Sequence, residues 1–280
     1  MKILYGNIIA QSIKNQVKEE IQKLKIQPRL DVILVGNDEA SKIYVRNKVK
    51  VGEELGIEVK VHHYAEKYEY DRLLVLITKL NYDVSVNGII VQLPLPANID
   101  KNIVLNVSQT KDVDCFHPSN LGLLHYGRNV FQPPTAGAVI ELLSYYKIPL
   151  FGKHVVIIND NILLGRPLAT MLTNMGSTVT ICNKYTENLK SITASADIIV
   201  VAVGKRPDFV LTKDYCKRGV KIIDCGINKM DGKVVGDVDV KSVEDVADML
   251  TSVPGGVGVI TISVLLKNTL KACKINENTQ

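Results

Sequence analysis

Tyr44 and Lys48 stand four residues apart in Glu39–Leu55, a stretch with few helix breakers that closes at Gly56. On a helix that spacing sends both side chains out of one face. A phenol beside a lysine whose charge is disfavoured by burial can relay a proton. The plainer alternative is a surface pair on an amphipathic helix. Gln92 ends the apolar run Gly88–Leu93 and precedes Pro94 and Pro96. Ligands bind at the carboxyl ends of parallel strands, although an amide there can equally be satisfied by backbone. Lys111-Asp112-Val113-Asp114 then places two carboxylates in a loop, facing opposite ways if the segment is extended. A carboxylate aimed at a ligand can accept paired N–H bonds from a guanidine-like heterocycle edge; an Asx turn is the plainer reading.

A second group of residues follows the apolar run His154–Ile158. Asn159-Asp160-Asn161 and Gly165-Arg166-Pro167 occupy the place of a dinucleotide phosphate turn at a helix N-terminus, but the glycine fingerprint of such turns is absent. The next apolar run ends at Asn183–Lys184, where the adenosine ribose lies in Rossmann-type sites. A lysine there favours a 2′-phosphate, whereas Asp160 would repel one if it points inward. Val253-Pro254-Gly255-Gly256-Val257-Gly258 is a glycine loop whose backbone could approach a ligand closely, or simply a tight turn.

These residues need elements to hold them. Strand-like runs at Leu30–Val35, Val59–Tyr64 and Gly88–Leu93 alternate with helical patterns at Glu39–Leu55 and Tyr70–Leu80. That is a βαβαβ series, the composition of a three-layer α/β unit. Thr110–Pro134 reads as irregular, the best linker. After a helix at Ala136–Tyr146 the alternation restarts, with strands at His154–Ile158, Thr178–Cys182, Ile198–Val203 and Val220–Cys225. This pattern predicts a doubly wound parallel sheet. Ile260–Lys274 has helical periodicity.

Composition narrows the function classes. The chain has 280 residues, of which 46% are hydrophobic and 22% charged, which excludes disorder, collagen-like repeats and coiled coil. A net charge of +5, from 34 Lys+Arg against 29 Asp+Glu, suits an anionic small ligand and is too weak to argue for nucleic acid. Trp is absent and Phe numbers only 4, so no stacking platform for single strands is evident. Five scattered Cys, with no C-x-x-C pair and no His/Cys cluster at metal spacing, read as reduced thiols of an intracellular protein with no metal. No signal peptide and no membrane span are visible, so the expectation is a soluble, cytoplasmic protein.

Taken together, Ser41–Lys48, Gly88–Pro96, Lys111–Asp114, Gly236-Asp237-Val238 and Val253–Gly258, in that order, resemble the bifunctional methylenetetrahydrofolate dehydrogenase/methenyltetrahydrofolate cyclohydrolase family. The resemblance covers nearly the whole chain. It implies oxidation of 5,10-methylenetetrahydrofolate with NADP to 5,10-methenyltetrahydrofolate, then hydrolysis to 10-formyltetrahydrofolate, in one-carbon metabolism and purine biosynthesis. It implies that Lys48 is the catalytic lysine, that Tyr44 positions substrate, that Gln92 orients the lysine and that Asp114 holds the pterin. Asn159, Asp160, Asn161, Asn183, Lys184 and the backbone of Ile227 would meet the cofactor. Pro254, Gly255, Gly256, Val257 and Gly258 would form a substrate loop. The implied fold is two three-layer α/β domains, the second a Rossmann-like sheet, with the active site in a cleft between them. The limits expected are 1–118 with 261–280 for the folate domain and 119–260 for the NADP domain. A homodimer through the cofactor domain, and folates carrying one or more glutamates, are also implied.

Some positions depart from the family pattern. Asn159-Asp160-Asn161 stands where many members have Gly-Arg-Ser, whose arginine holds the 2′-phosphate; Lys184 stands where other members place the basic residue. Pro134 replaces a frequent Cys, Cys115 a Gly, Ser252 a Pro, and Val259–Ile260 a Pro-Met pair. Two competing readings are an NAD-dependent dehydrogenase without hydrolytic activity, and a folate-binding protein with a dead cofactor site.

Overall fold

The computed structural model describes residues 1–277. In chain order, β1 (Lys2–Leu4) and α1 (Asn7–Ile21) precede β2 (Arg29–Val35), α2 (Glu39–Leu55), β3 (Glu58–Tyr64), α3 (Tyr70–Tyr82) and β4 (Gly88–Val91). A 3-10 turn, α4 (Pro118–His125) and α5 (Pro134–Tyr145) lead to β5 (His154–Ile158), α6 (Gly165–Asn174), β6 (Thr178–Cys182), α7 (Leu189–Thr193), β7 (Ile198–Val201) and β8 (Val220–Asp224). The hairpin β9 (Asn228–Met230) and β10 (Lys233–Val235), then α8 (Val240–Val243), β11 (Ala247–Thr251) and α9 (Val257–Glu277), complete the described chain.

Contacts divide the chain into two units. The first holds Ser12–Pro134 and the segment from Ile262 onward, built on a three-stranded sheet of order β3-β2-β4. Every pairing in this sheet is parallel. The central strand β2 is buried from Leu30 to Val35, and its sequence is apolar there except at Asp31, which meets Arg29 and His62. One face of the sheet packs on Leu73, Ile77 and Leu80 of α3, each burial contributing about 2 kcal/mol. Asp38 caps α2 by accepting from the Ser41 N–H at 2.7 Å, and Gly56 ends the helix in the left-handed region at φ 87.

The second unit holds Met1–Gln11 and Thr135–Thr261, around a six-stranded sheet of order β1-β11-β8-β7-β5-β6. Its strands are all parallel. β6 and β7 flank β5, so the strand order reverses at β5, the switch point where ligands bind in such sheets.

Three details differ from the sequence reading. Within 110–134 the chain forms a helix, α4, because Pro118 sits at its first position, where a missing N–H does no harm, and the His117 ring accepts from the Ser119 N–H. The sheet has two further strands, β1 and β11, paired Lys2↔Met249 and Leu4↔Thr251. That pairing places Met1–Gln11 with the six-stranded unit rather than with 12–118. Conversely, 119–134 belongs with the three-stranded unit, where Asn268 of α9 donates to the carbonyls of Val113 (2.9 Å) and Gln132 (2.7 Å).

Candidate active site and dinucleotide turn

The acid–base group sits in the three-stranded unit. Lys48 Nζ donates to Gln92 Oε1 at 2.9 Å, and Gln92 Nε2 donates to the Leu93 carbonyl at 2.6 Å. The amide is thus both backbone-satisfied and a holder of the lysine. Its own N–H bonds to the Ile33 carbonyl at 2.9 Å, fixing Gln92 at the strand tip. Burial holds the Lys48 ammonium below the ordinary lysine range, with the charge of Asp114 partly opposing. Burial pushes the Asp114 carboxyl up to about 6; Lys48 pulls it down and Asp112 pushes it further up. Burial also raises Tyr44.

The Lys111–Asp114 segment reaches this level because it runs alongside β4. The Ile89 N–H bonds to the Lys111 carbonyl at 2.9 Å, and Ile89 bridges Asp112 in parallel. Gly88 is needed there, since a Cβ would lie 2.9 Å from Val113 Cγ1. The two carboxylates part as an extended segment requires. Asp112 is buried and accepts from the Phe116 N–H (2.9 Å), the His117 N–H (2.8 Å) and Asn120 Nδ2 (2.8 Å). Asp114 is left half-buried within the field of Lys48. Cys115, next along, has φ 64, the left-handed conformation that glycine adopts without cost. Cys115 holds this conformation with its side chain buried, and the glycine that the resemblance implies at this position would adopt it without cost.

In the six-stranded unit the turn after β5 is built by asparagines. Asn159 Oδ1 accepts from the N–H groups of Asn161 (3.0 Å) and Gly165 (3.1 Å), and its Nδ2 donates to the Ala202 carbonyl at 2.7 Å. Asn161 Oδ1 accepts from the Leu164 N–H at 2.9 Å. Gly165 is obligatory: a Cβ would lie 1.9 Å from the Asn159 carbonyl oxygen. The turn therefore has one glycine whose close approach to the backbone is forced. Asp160 Oδ2 accepts from Asn183 Nδ2 at 3.1 Å, linking the turn to the β6 tip. Lys184 is exposed there, its ammonium 4.8 Å from the Tyr185 ring centroid. Ile227 is half exposed after β8. A close-approach glycine, a turn at the switch point and an exposed lysine at the next strand tip fit a dinucleotide.

The Val253–Gly258 loop also lies in this unit. The Gly6 N–H bonds to the Gly255 carbonyl at 2.7 Å, and a Cβ on Gly6 would lie 2.0 Å from the Gly256 oxygen. Gly256 in turn presses on the Ser252 carbonyl, at 2.3 Å from its would-be Cβ. Tight backbone packing accounts for these glycines; only Gly258 faces open space. Ser252, in place of proline, donates to the Pro254 carbonyl at 2.7 Å.

Two family models match the chain: the tetrahydrofolate dehydrogenase/cyclohydrolase catalytic domain over residues 4–114, and its NAD(P)-binding domain over residues 133–277. The chain belongs to this family. It is 46% identical over 280 residues to the bifunctional protein FolD of Campylobacter jejuni, covering 98% of this chain and 99% of that protein. It is 42% identical over 276 residues to the FolD of Exiguobacterium sibiricum, covering 97% and 99%. The crystal structure of the Campylobacter jejuni enzyme superposes with a TM-score of 0.94, covering 98% of this chain and 99% of that one. In family terms, Tyr44, Lys48, Gln92 and Asp114 fall in the catalytic-domain match, and Asn159 to Lys184, Ile227 and the 254–258 loop fall in the NAD(P)-binding match. No helix of the described residues is long and apolar enough to cross a membrane.

Sequence reading missed Asn120 and Asn268, buried amides that tie the Asp112–Val113 loop to α4 and α9. Only their partners, distant in sequence, reveal them.

Proposed function

We propose that this chain oxidises 5,10-methylenetetrahydrofolate to 5,10-methenyltetrahydrofolate with NADP and hydrolyses the product to 10-formyltetrahydrofolate. The observation that carries the reading is the Lys48–Gln92 hydrogen bond of 2.9 Å beside a carboxyl raised to about 6. NADP, when bound, accepts the hydride. Asp114 as carboxylate accepts paired N–H bonds from the pterin, and Tyr44 fixes the substrate's orientation on the face it shares with Lys48. A Lys48 held below its ordinary pKa is neutral in part of the population. It then takes a proton from the water as the water oxygen bonds to the cationic methenyl carbon, while Gln92 Oε1 keeps its nitrogen in place; the carbon–N5 bond then breaks as the hydroxyl proton passes to N5 and the carbonyl forms, and the lysine gives its proton to solvent. Lys48→Ala therefore abolishes cyclohydrolase activity in a coupled assay that follows NADPH formation and then methenyl decay. Hydrolysis at the unaltered rate would sink the assignment.

In the cofactor unit we assign the β5 turn of Asn159, Asp160 and Asn161 to the pyrophosphate side, Asn183 and Lys184 to the 2′-phosphate and ribose, and the Ile227 backbone to the nicotinamide half. A structure of the family's Trypanosoma brucei enzyme, 33% identical with a TM-score of 0.92 and covering 98% of this chain and 97% of that one, is a complex with NADP. Lys184→Ala lowers kcat/KM for NADP about tenfold, the worth of one charge-assisted hydrogen bond, and leaves NAD little changed. Asp160 favours a second reading, NAD, since its carboxylate reaches the β6 tip through Asn183. Higher kcat/KM with NAD in the unaltered protein would decide for it. The same reading carries a cytoplasmic homodimer associating through the cofactor unit, folates bearing one or more glutamates, and a place in purine biosynthesis. Light scattering on the purified protein tests the dimer.

A further inference from the structure

Asp224, which ends β8, and Asp237, in the Gly236-Asp237-Val238 stretch after β10, take no part in the assignments above. Asp237 is fully buried and Asp224 is 3% exposed. Asp237 accepts from the backbone N–H groups of Val203 (2.6 Å) and Gly204 (3.0 Å) and from Asn228 Nδ2 (2.9 Å). Asp224 accepts from the N–H groups of Gly226 (2.9 Å), Asp237 (3.1 Å) and Val238 (3.0 Å). The segments interlock: a Cβ on Gly236 would lie 2.0 Å from Asp224 Oδ2, and one on Gly226 would lie 2.2 Å from Asp237 Cγ. Among the described residues neither carboxylate forms an ion pair. The guanidinium of neighbouring Arg206 donates to the Val238 carbonyl at 2.6 Å, and one such cation cannot neutralise two carboxylates.

Tying loops together does not require charge. At the β5 tip of the same sheet Asn159, a neutral amide, gathers two backbone N–H groups and one carbonyl. Burial, with the charge of Asp237 adding to it, pushes the Asp224 carboxyl up to about 6, so above that pH two buried carboxylates stand at the tips of β7 and β8, more charge than tying the loops requires. In a doubly wound sheet the dinucleotide lies across the strand tips, one nucleotide half on each side of the switch point. The β5 turn and β6 tip take the phosphate and adenosine side, which leaves the tips of β7 and β8 for the nicotinamide. Val203–Gly204 and Gly226, held by the two carboxylates, lie at those tips. Oxidised nicotinamide is cationic and reduced nicotinamide is neutral. Fixed charge in a poorly solvated site discriminates between them.

We propose that Asp224 and Asp237 form an electrostatic pair that makes this unit bind the oxidised dinucleotide in preference to the reduced one. The proposal rests on the dehydrogenase reading and deepens it. The field favours the substrate-ready cofactor, and loss of the ring's positive charge on hydride transfer loosens the product.

The test measures Kd for NADP+ and NADPH by calorimetry on the full-length protein and on Asp224→Asn and Asp237→Asn. The unaltered protein binds NADP+ more tightly, and each substitution lowers the ratio of the NADPH Kd to the NADP+ Kd by about tenfold, as expected from removing one nearby charge at intermediate dielectric. A merely structural role raises both constants by one factor and leaves the ratio unchanged, which overturns the proposal. If one variant fails to fold by circular dichroism, the other decides. Tighter binding of NADPH by the unaltered protein overturns the proposal without any variant. The NAD+/NADH pair, measured alongside, shares the ring but lacks the 2′-phosphate. A ratio that moves equally in both pairs upholds the proposal even if NADP proves the wrong cofactor. Binding of neither pair overturns it together with the reading beneath it.

Discussion

Asp112 and Asp114 are separated by one residue, yet their environments give them different chemistry. Burial raises both carboxyls, but at Asp112 three N–H donors oppose it, and its carboxylate organises the start of α4. Asp114 has burial against it and only the charge of Lys48 in its favour, and its carboxyl rises from 3.8 to about 6. Folding thus favours its protonated form. Its contribution to stability is complete below about pH 4 and is lost as the pH rises through about 6. Asp114→Asn mimics the protonated form and should raise stability at pH 8 by about 1 kcal/mol, after discounting for partial exposure. The gain should vanish at pH 4 in denaturant titrations, and folate binding should be lost at both. In the unaltered protein kcat/KM should fall below pH 6 as Asp114 protonates. A flat profile from pH 7 to 5 would remove Asp114 from the binding role.

At the scale of elements, what could be read from the chain depended on whether local signals and tertiary demands agreed. β2, β5 and β7 are buried on both faces, so their apolar runs are unmistakable. α2 carries both an N-cap and a glycine stop. β1 has three residues and β11 mixes Asp248 with apolar neighbours, so neither shows a pattern until they pair. α4 was hidden because Pro118 and Gly122 look like breakers, although proline at the first position is favourable. At the site, the Lys48–Gln92 pairing lies 44 residues apart in sequence and only the fold discloses its distance. The β5 turn shows the limit of motif reading, since the constraint lies in one contact. Gly165→Ala sets a methyl 1.9 Å from a backbone oxygen with no flexible side chain to yield. We expect a loss of about 2–3 kcal/mol, as for overpacking, and weakened binding of both NADP and NAD. Unchanged cofactor Kd values and melting temperature would show that the turn relaxes freely.

For the whole molecule, the consequence of this topology is that neither unit is a continuous stretch of chain. The NAD(P)-binding match, 133–277, omits β1, although β1 completes the sheet beside β11 and Leu4 is fully buried. It also includes the part of α9 from Ile262 onward, whose partners lie in the other unit; Asn268 bonds to Val113 and Gln132, and Leu265, Leu266 and Leu270 are buried. Expressed alone, 133–277 would carry an open strand edge at β11 and a bare apolar helix face, two features that drive association. We expect that fragment to be aggregated or to lack dispersed amide resonances. A fragment of 133–261 with residues 1–11 joined through a flexible linker restores β1 and removes the orphaned helix, and it should be monodisperse and melt cooperatively. If 133–277 alone folded just as well, β1 and the partners of α9 would contribute little to the six-stranded unit, and its division from the rest of the chain would fall near residue 133 after all.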